Sequence, residues 1–230
     1  YLDFVQRGTR AAYAASFSVD DFPEALRAVT AGYLKRFGYV AVREKSGLAI
    51  LHSLGVEDAV SVLDPVFLLD RAQWETMAVR PEHCDAPYLL VYAFDNDATI
   101  RGLAERIAAE RGLRIYSVFD LPYAERCFAL DGPEVFLGLI QNAAFVLSNS
   151  FHATAFSVIF EREFAVVERT EQLNSRMRDF TALLGLPERM VTAERALPPD
   201  VDWAVVRCRL TAEIDKSKAY IDKVLRDGER

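Results

Sequence analysis

What this sequence has little of narrows it first. Its 230 residues include three cysteines and three histidines, all far apart. Cys84, Cys127 and Cys208 make neither a disulfide framework nor a metal-ligand spacing, and read as free thiols of a reducing compartment. His52, His83 and His152 are as scattered, so no zinc site is expected. No apolar run approaches the ~20 residues that span a bilayer. The most apolar stretch, Phe151 to Phe160, is bounded by Asn149 and by Glu161-Arg162-Glu163, and reads as a buried helix. Positive charge is in deficit: 27 Lys and Arg against 34 Asp and Glu leave a net charge of −7, which argues against a nucleic-acid partner. G-x-G-x-x-G, the P-loop lysine motif and G-x-S-x-G are absent. No pair of carboxylates shows a glycosidase-like spacing. There is no internal repeat, no low-complexity segment and no signal-peptide pattern.

What is present is an ordinary globular composition, 51% apolar and 27% charged, long enough for one large or two smaller domains. Apolar, β-branched or aromatic runs predict strands at 11–16, 39–43, 59–64, 88–94, 113–119, 144–149 and 163–168. Most are apolar on both faces, as in a parallel sheet covered by helices on each side. Helical patterns lie between them at 21–37, 46–54, 98–111, 133–141 and 150–160, and this alternation points to a doubly wound α/β architecture. The polar stretch 70–87, with two prolines and His83, breaks the rhythm and marks a domain boundary. Three strands before it make a thin sheet, and the chain opens on an apolar pattern without Met, so further strands are expected upstream of Tyr1. Residues 205–227 predict a long amphipathic helix with Leu210, Ile214, Ala219, Ile221 and Leu225 as its apolar stripe.

Ligands of open α/β sheets gather at the carboxyl ends of strands and at helix starts. Three places qualify. At Ser148-Asn149-Ser150-Phe151-His152 a buried strand runs into small polar residues that cap helices well, and then into an apolar helix. Backbone N–H groups and the positive helix end would converge there on an anion. His152, in or near the first turn, would be charged mainly when such an anion is bound. The alternative is a capped core helix whose histidine bonds a neighbouring carbonyl. At Val42-Arg43-Glu44-Lys45-Ser46-Gly47 an arginine ends a buried strand before a helix that Ser46 would cap. Its planar fork suits phosphate or carboxylate, or a structural ion pair with Glu44 or across the domain interface. At Leu63-Asp64-Pro65 the aspartate could face a cleft or make a turn. Asn174-Ser175-Arg176 starts one more helix and offers a further cation.

Taken in order, Leu2-Asp3-Phe4-Val5, Tyr13 to Phe17, Val42 to Gly47, Leu63 to Leu69, and Ser148 to Ser157 resemble the polysaccharide pyruvyl transferase family. Asn174-Ser175-Arg176, Leu183 to Leu186, and Ser217 with Tyr220 resemble its closing pattern. The resemblance implies two Rossmann-like lobes similar to GT-B glycosyltransferases, the first lobe truncated at its N-terminus. Residues 1–80 would close the first lobe and 81–204 make the second. Residues 205–230 would form a helix that packs back on the first.

The activity implied is transfer of pyruvate from phosphoenolpyruvate to sugar hydroxyls as a ketal, with release of phosphate. It would serve synthesis of an exopolysaccharide or other cell-envelope polymer. The donor is a substrate, and neither cofactor nor metal is implied. His152 and Arg43 would be catalytic, with Ser148, Asn149, Ser150 and Arg176 binding substrate. The acceptor would be an oligosaccharide, lipid-linked or nucleotide-linked, and the enzyme cytoplasmic, with the inner membrane face allowed. Two departures from the family pattern are Ala153 and Ser18, each where glycine is usual, and either could narrow the site. The alternatives are a GT-B glycosyltransferase using a nucleotide sugar, for which Asp95-Asn96-Asp97 would be the ribose ligands or else a loop that caps the following helix, and an inactive carbohydrate-binding relative.

Overall fold

Runs such as Tyr-Leu-Leu-Val-Tyr at 88–92 and Phe-Ala-Val-Val at 164–167 have no polar side to turn to water, and they form inner strands of a parallel sheet. The computed structural model describes residues 2, 4–5, 8–82, 84–95, 97–170, 174–193 and 197–228. Tyr1, Asp3, His83 and Asn96, which the sequence reading includes, lie outside the described residues. In chain order the elements are β1 (Arg10–Ala15), α1 (Glu24–Leu34), β2 (Phe37–Val42), α2 (Lys45–Ser53), β3 (Val60–Ser61), α3 (Arg71–Met77), β4 (Tyr88–Tyr92), α4 (Asp97–Arg111), β5 (Arg114–Ser117), β6 (Arg126–Cys127), α5 (Pro133–Asn142), β7 (Phe145–Ser148), α6 (Phe151–Ile159), β8 (Phe164–Val167), α7 (Ser175–Leu184), β9 (Met190–Val191) and α8 (Trp203–Gly228).

Contacts divide the chain into two units. The first comprises Tyr1–Leu68, Gln172–Leu184 and Ala204–Arg230; the second, Leu69–Glu171 and Gly185–Trp203. Each is a parallel α/β layer structure, the Rossmann-like class expected from the strand–helix alternation.

In the first unit the sheet order is β1-β2-β3. Its core joins Val40 and Val42 of β2 to Ile50 and Leu51 of α2 and Leu34 of α1. Fully burying each such side chain contributes about 1.5–3 kcal/mol. Helix α8 meets this unit with part of the expected stripe: Leu210, Ile214 and Ile221 are half-buried on the face of the buried Val206 and Ser217, whereas Ala219 and Leu225 are exposed. The face also makes polar contacts. Ser217 Oγ accepts from Leu63 N–H at 2.9 Å, and Tyr220 donates to the carbonyl of Ala12 at 2.9 Å. Backbone groups of the sheet need partners, so a serine and a tyrosine join the aliphatic residues on the contact face.

The second unit carries a sheet of order β6-β5-β4-β7-β8-β9, every pair parallel. The chain builds outward from β4 through β5 and β6, then returns to lay β7 on the other side of β4. That reversal is the topological switch point of a doubly wound sheet. Leu89, Val91, Ile100, Leu103, Phe145, Leu147 and Val167 share the core on one face. The stretch read as a polar interruption holds α3, which opens on a full capping box between Asp70 and Gln73. Among the described residues no helix is long and apolar enough to cross a membrane.

Candidate active site

The switch point of the second unit lies between Tyr92, which ends β4, and Ser148, which ends β7; the two are register partners. Ser148 donates its hydroxyl proton to the Tyr92 carbonyl and accepts from Ser150 N–H at 2.9 Å. Asn149, 1% exposed, spends its amide on the fold. Its Oδ1 accepts from Phe94 N–H at 2.9 Å, and its Nδ2 donates to the Asp95 carbonyl and Oδ1 at 2.9 and 2.8 Å. Ser150 is the N-cap of α6, buried to 6% exposure, and its hydroxyl makes no capping bond. The first bond within the helix runs from Thr154 N–H to the Ser150 carbonyl at 3.1 Å. The N–H groups before it have no acceptor within the helix. Eight of the nine residues of α6 are buried; the exposed one is His152. The apolar composition of Phe151 to Ile159 buries this helix, and its first turn brings a single imidazole to the surface.

Arg169 and Thr170, which the sequence reading passed over, complete this corner with Asp95. Arg169, two positions past the end of β8, is half-buried and donates from Nε to the Asn149 carbonyl at 3.2 Å. Its guanidinium lies over the Phe94 ring, 4.6 Å from the centroid. Asp95 Oδ2 accepts from the N–H and hydroxyl of Thr170 at 3.0 and 2.7 Å. Burial pushes the Tyr92 phenol above its ordinary pKa, and the Arg169 cation pulls it back. A basic residue just beyond a strand was the available signal for Arg169. Ala153 is fully buried in the packing of α6.

The first unit holds Arg43 and Arg176. Arg43 follows β2 and forms an ion pair with Asp64, which is 3% exposed and also accepts from Val66 N–H at 3.1 Å. Asp64 thus makes both the turn and the arginine's ion pair. Glu44, the expected alternative partner, turns away: its Oε1 accepts from Ser16 Oγ, Phe17 N–H and Ser18 N–H at 3.0, 2.7 and 3.1 Å. This holds Ser18 at φ +62°, a left-handed conformation that glycine adopts without strain, so the serine keeps a glycine-like backbone here. The folded-back Glu44 also accounts for Gly47, where a Cβ would come within 3.2 Å of Oε1. The N-cap of α2 is Glu44, two residues before Ser46, the expected cap. Ser46 instead donates its N–H and hydroxyl to Asp179 of α7, at 2.9 and 3.1 Å. Arg176 stands in the first turn of α7, half-buried.

A cavity of about 980 Å³ in the first unit is lined by Tyr39, Val60, Lys216, Tyr220 and Lys223, and Arg43 is not among its lining residues. Among the described residues no group of three His, Cys, Asp or Glu could hold a metal ion.

Against known proteins, residues 2–171 match the family model for polysaccharide pyruvyl transferase. The chain belongs to the polysaccharide pyruvyl transferase family. In this polysaccharide pyruvyl transferase family member the match includes Arg43, Ser148, Asn149, Ser150, His152 and Arg169, and stops short of Arg176. No curated protein matches it in sequence. Two solved structures are weakly similar. One is a protein from Listeria monocytogenes assigned as a UDP-N-acetylglucosamine 2-epimerase, at 12% identity and TM-score 0.49, covering 86% of this chain. The other is the glycotransferase of kitacinnamycin, at 13% identity and TM-score 0.41, covering 91%. The chain spans 65% of the length of each.

Proposed function

We propose that the protein transfers pyruvate from phosphoenolpyruvate to two hydroxyls of a sugar, forming a cyclic ketal and releasing phosphate, in the cytoplasm, for polysaccharide synthesis. Family membership supports the reaction class. The single observation that carries the site is His152, the exposed residue of an otherwise buried helix at the switch point of its sheet.

The steps follow from the donor's chemistry. A proton adds to the vinyl carbon of phosphoenolpyruvate, and positive charge develops at C2. One sugar hydroxyl forms a bond to C2, the C2–O bond to phosphate breaks, and the second hydroxyl closes the ring. Of the two hydroxyl protons, one balances the proton taken up by the new methyl group and the other leaves with phosphate. His152 is assigned the proton donor's place or contact with the anion, at a helix start that favours negative charge. Ser148 and Asn149 build the turn, Ser150 supplies a hydroxyl, and in the first unit Arg43 and Arg176 serve anionic groups of the reactants. The acceptor is read as a lipid- or nucleotide-linked sugar, or an oligosaccharide.

The nucleotide-sugar reading needs an acidic ribose ligand, and Asp95 is already engaged by Asn149 and Thr170. The inactive-relative reading rested on Ala153 and Ser18. One is buried, and the other keeps a glycine-like backbone.

The test is to incubate the protein with phosphoenolpyruvate and a panel of sugar acceptors, following phosphate release and product mass. Acceptor-dependent release with a pyruvyl mass gain is expected, and His152→Ala should reduce it about 10²–10⁴-fold. Full activity in His152→Ala would remove the histidine from the mechanism. Absence of phosphoenolpyruvate binding would remove the donor.

A further inference from the structure

The cavity of about 980 Å³ in the first unit takes no part in the reaction proposed above, yet it has the size of a ligand site. Small-molecule sites run to about 300–1,000 Å³, so this one suits an oligosaccharide better than a single ion. Strands β2 and β3 and helix α8 contribute to its walls. Two of its rings are held in place. Tyr39 donates its hydroxyl to Asp227 at 2.6 Å, and Tyr220 donates to the Ala12 carbonyl at 2.9 Å. Rings fixed at their hydroxyl ends lose little freedom on binding, and they offer apolar surface to the C–H faces of a sugar.

Charge is a second observation. In a chain of net charge −7, the lining holds three lysines, Lys35, Lys216 and Lys223, against two acids, Glu57 and Asp58. Lys216 meets Glu213 at 3.4 Å, an exposed pair within α8. The Lys223 ammonium lies over the Tyr39 ring, 5.8 Å from its centroid, so a cation and an aromatic surface share one wall. Each class of lining group answers a different part of one ligand. The tyrosines meet sugar rings, Glu57 and Asp58 accept from sugar hydroxyls, and the lysines meet carboxylates. A neutral sugar leaves the lysines unused. An inorganic anion leaves the rings unused and is repelled by the two acids.

We propose that this cavity binds an oligosaccharide that carries carboxylates, the chemical class of the pyruvylated product. This rests on the reaction proposed above, because a pyruvate ketal keeps its carboxylate on the sugar it joins. The place is separate from His152, which is not among the lining residues. It gives the protein a hold on sugar units already modified, through residues that take no part in the transfer.

The experiment measures binding by calorimetry to the wild-type protein, to His152→Ala and to the double variant Lys216→Gln with Lys223→Gln. The probes are one disaccharide in three forms: bearing a pyruvate ketal, bearing the methyl ester of that ketal, and unsubstituted. The ketal should bind wild type and His152→Ala alike, about 10-fold or more tighter than the ester or the parent. The double variant should bind the ketal about 10-fold more weakly and leave the ester unchanged. Both lysines are exposed, so the fold is kept. Ketal binding unchanged in the double variant would overturn the site, and its loss in His152→Ala would place the product at α6 instead. Equal affinity for ketal, ester and parent would overturn the acidic ligand. A wild-type protein that binds no ketal would overturn the site and leave the reaction to its own test. Lysine-dependent ketal binding, without any phosphate release from phosphoenolpyruvate, would keep the site and remove the reaction.

Discussion

The start of α2 and the start of α6 are built alike and end differently. Each follows a buried parallel strand, β2 or β7, and each lies at the carboxyl edge of its sheet. At α2 the chain supplies its own anions: Asp179 takes the N–H and hydroxyl of Ser46, and Asp64 pairs with Arg43. At α6 the nearby carboxylate, Asp95, is taken up by the Asn149 amide and by Thr170, and Ser148 Oγ accepts from the N-cap N–H. A strand–helix junction is therefore not enough to mark a ligand site. What distinguishes them is whether the fold has already answered the helix end with its own carboxylate.

The largest effect that would sharpen this contrast is at the ion pair. Asp64→Asn leaves the Arg43 guanidinium, 17% exposed, without its carboxylate. It should cost about 3 kcal/mol of stability in denaturant unfolding, the lower end for a broken buried pair. A cost below about 1 kcal/mol would make it equivalent to a surface pair and weaken the claim that α2 is internally satisfied. A smaller effect is expected at the cap. Asp179→Ala should cost about 1 kcal/mol, as for the loss of a helix cap, and leave phosphoenolpyruvate affinity unchanged. If it instead loosened donor binding, α2 would belong to the ligand site and the contrast would break.

Much of this was legible in the chain. Most of the strands from β1 to β8 announce themselves as runs apolar on both faces, the two-residue β3 through the longer run 59–64 around it, and α6 because nearly every residue from Phe151 to Phe160 is apolar. Ser148, Ser150 and His152 followed from that junction. Other features lacked a local signal. Strands β6 and β9 are two residues each, too short for any pattern. Helix α3 buries none of its residues, so it has no apolar stripe, and its capping box was the one readable sign. The contact face of α8 turns on Ser217 and Tyr220, whose partners are backbone groups near Leu63 and Ala12. Asp179 reaches Ser46 across 133 positions of sequence, and Arg169 acquires meaning only when β8 lies beside β7. Pairings at such distance leave no trace in local composition.

The central claim is that α6, not α2, is the helix start kept for the donor. Amide hydrogen exchange with and without phosphoenolpyruvate tests it most directly. The account predicts slowed exchange across 150–154 and 168–170 and no change across 45–48. Slowed exchange at 45–48, with 150–154 unaltered, would contradict it.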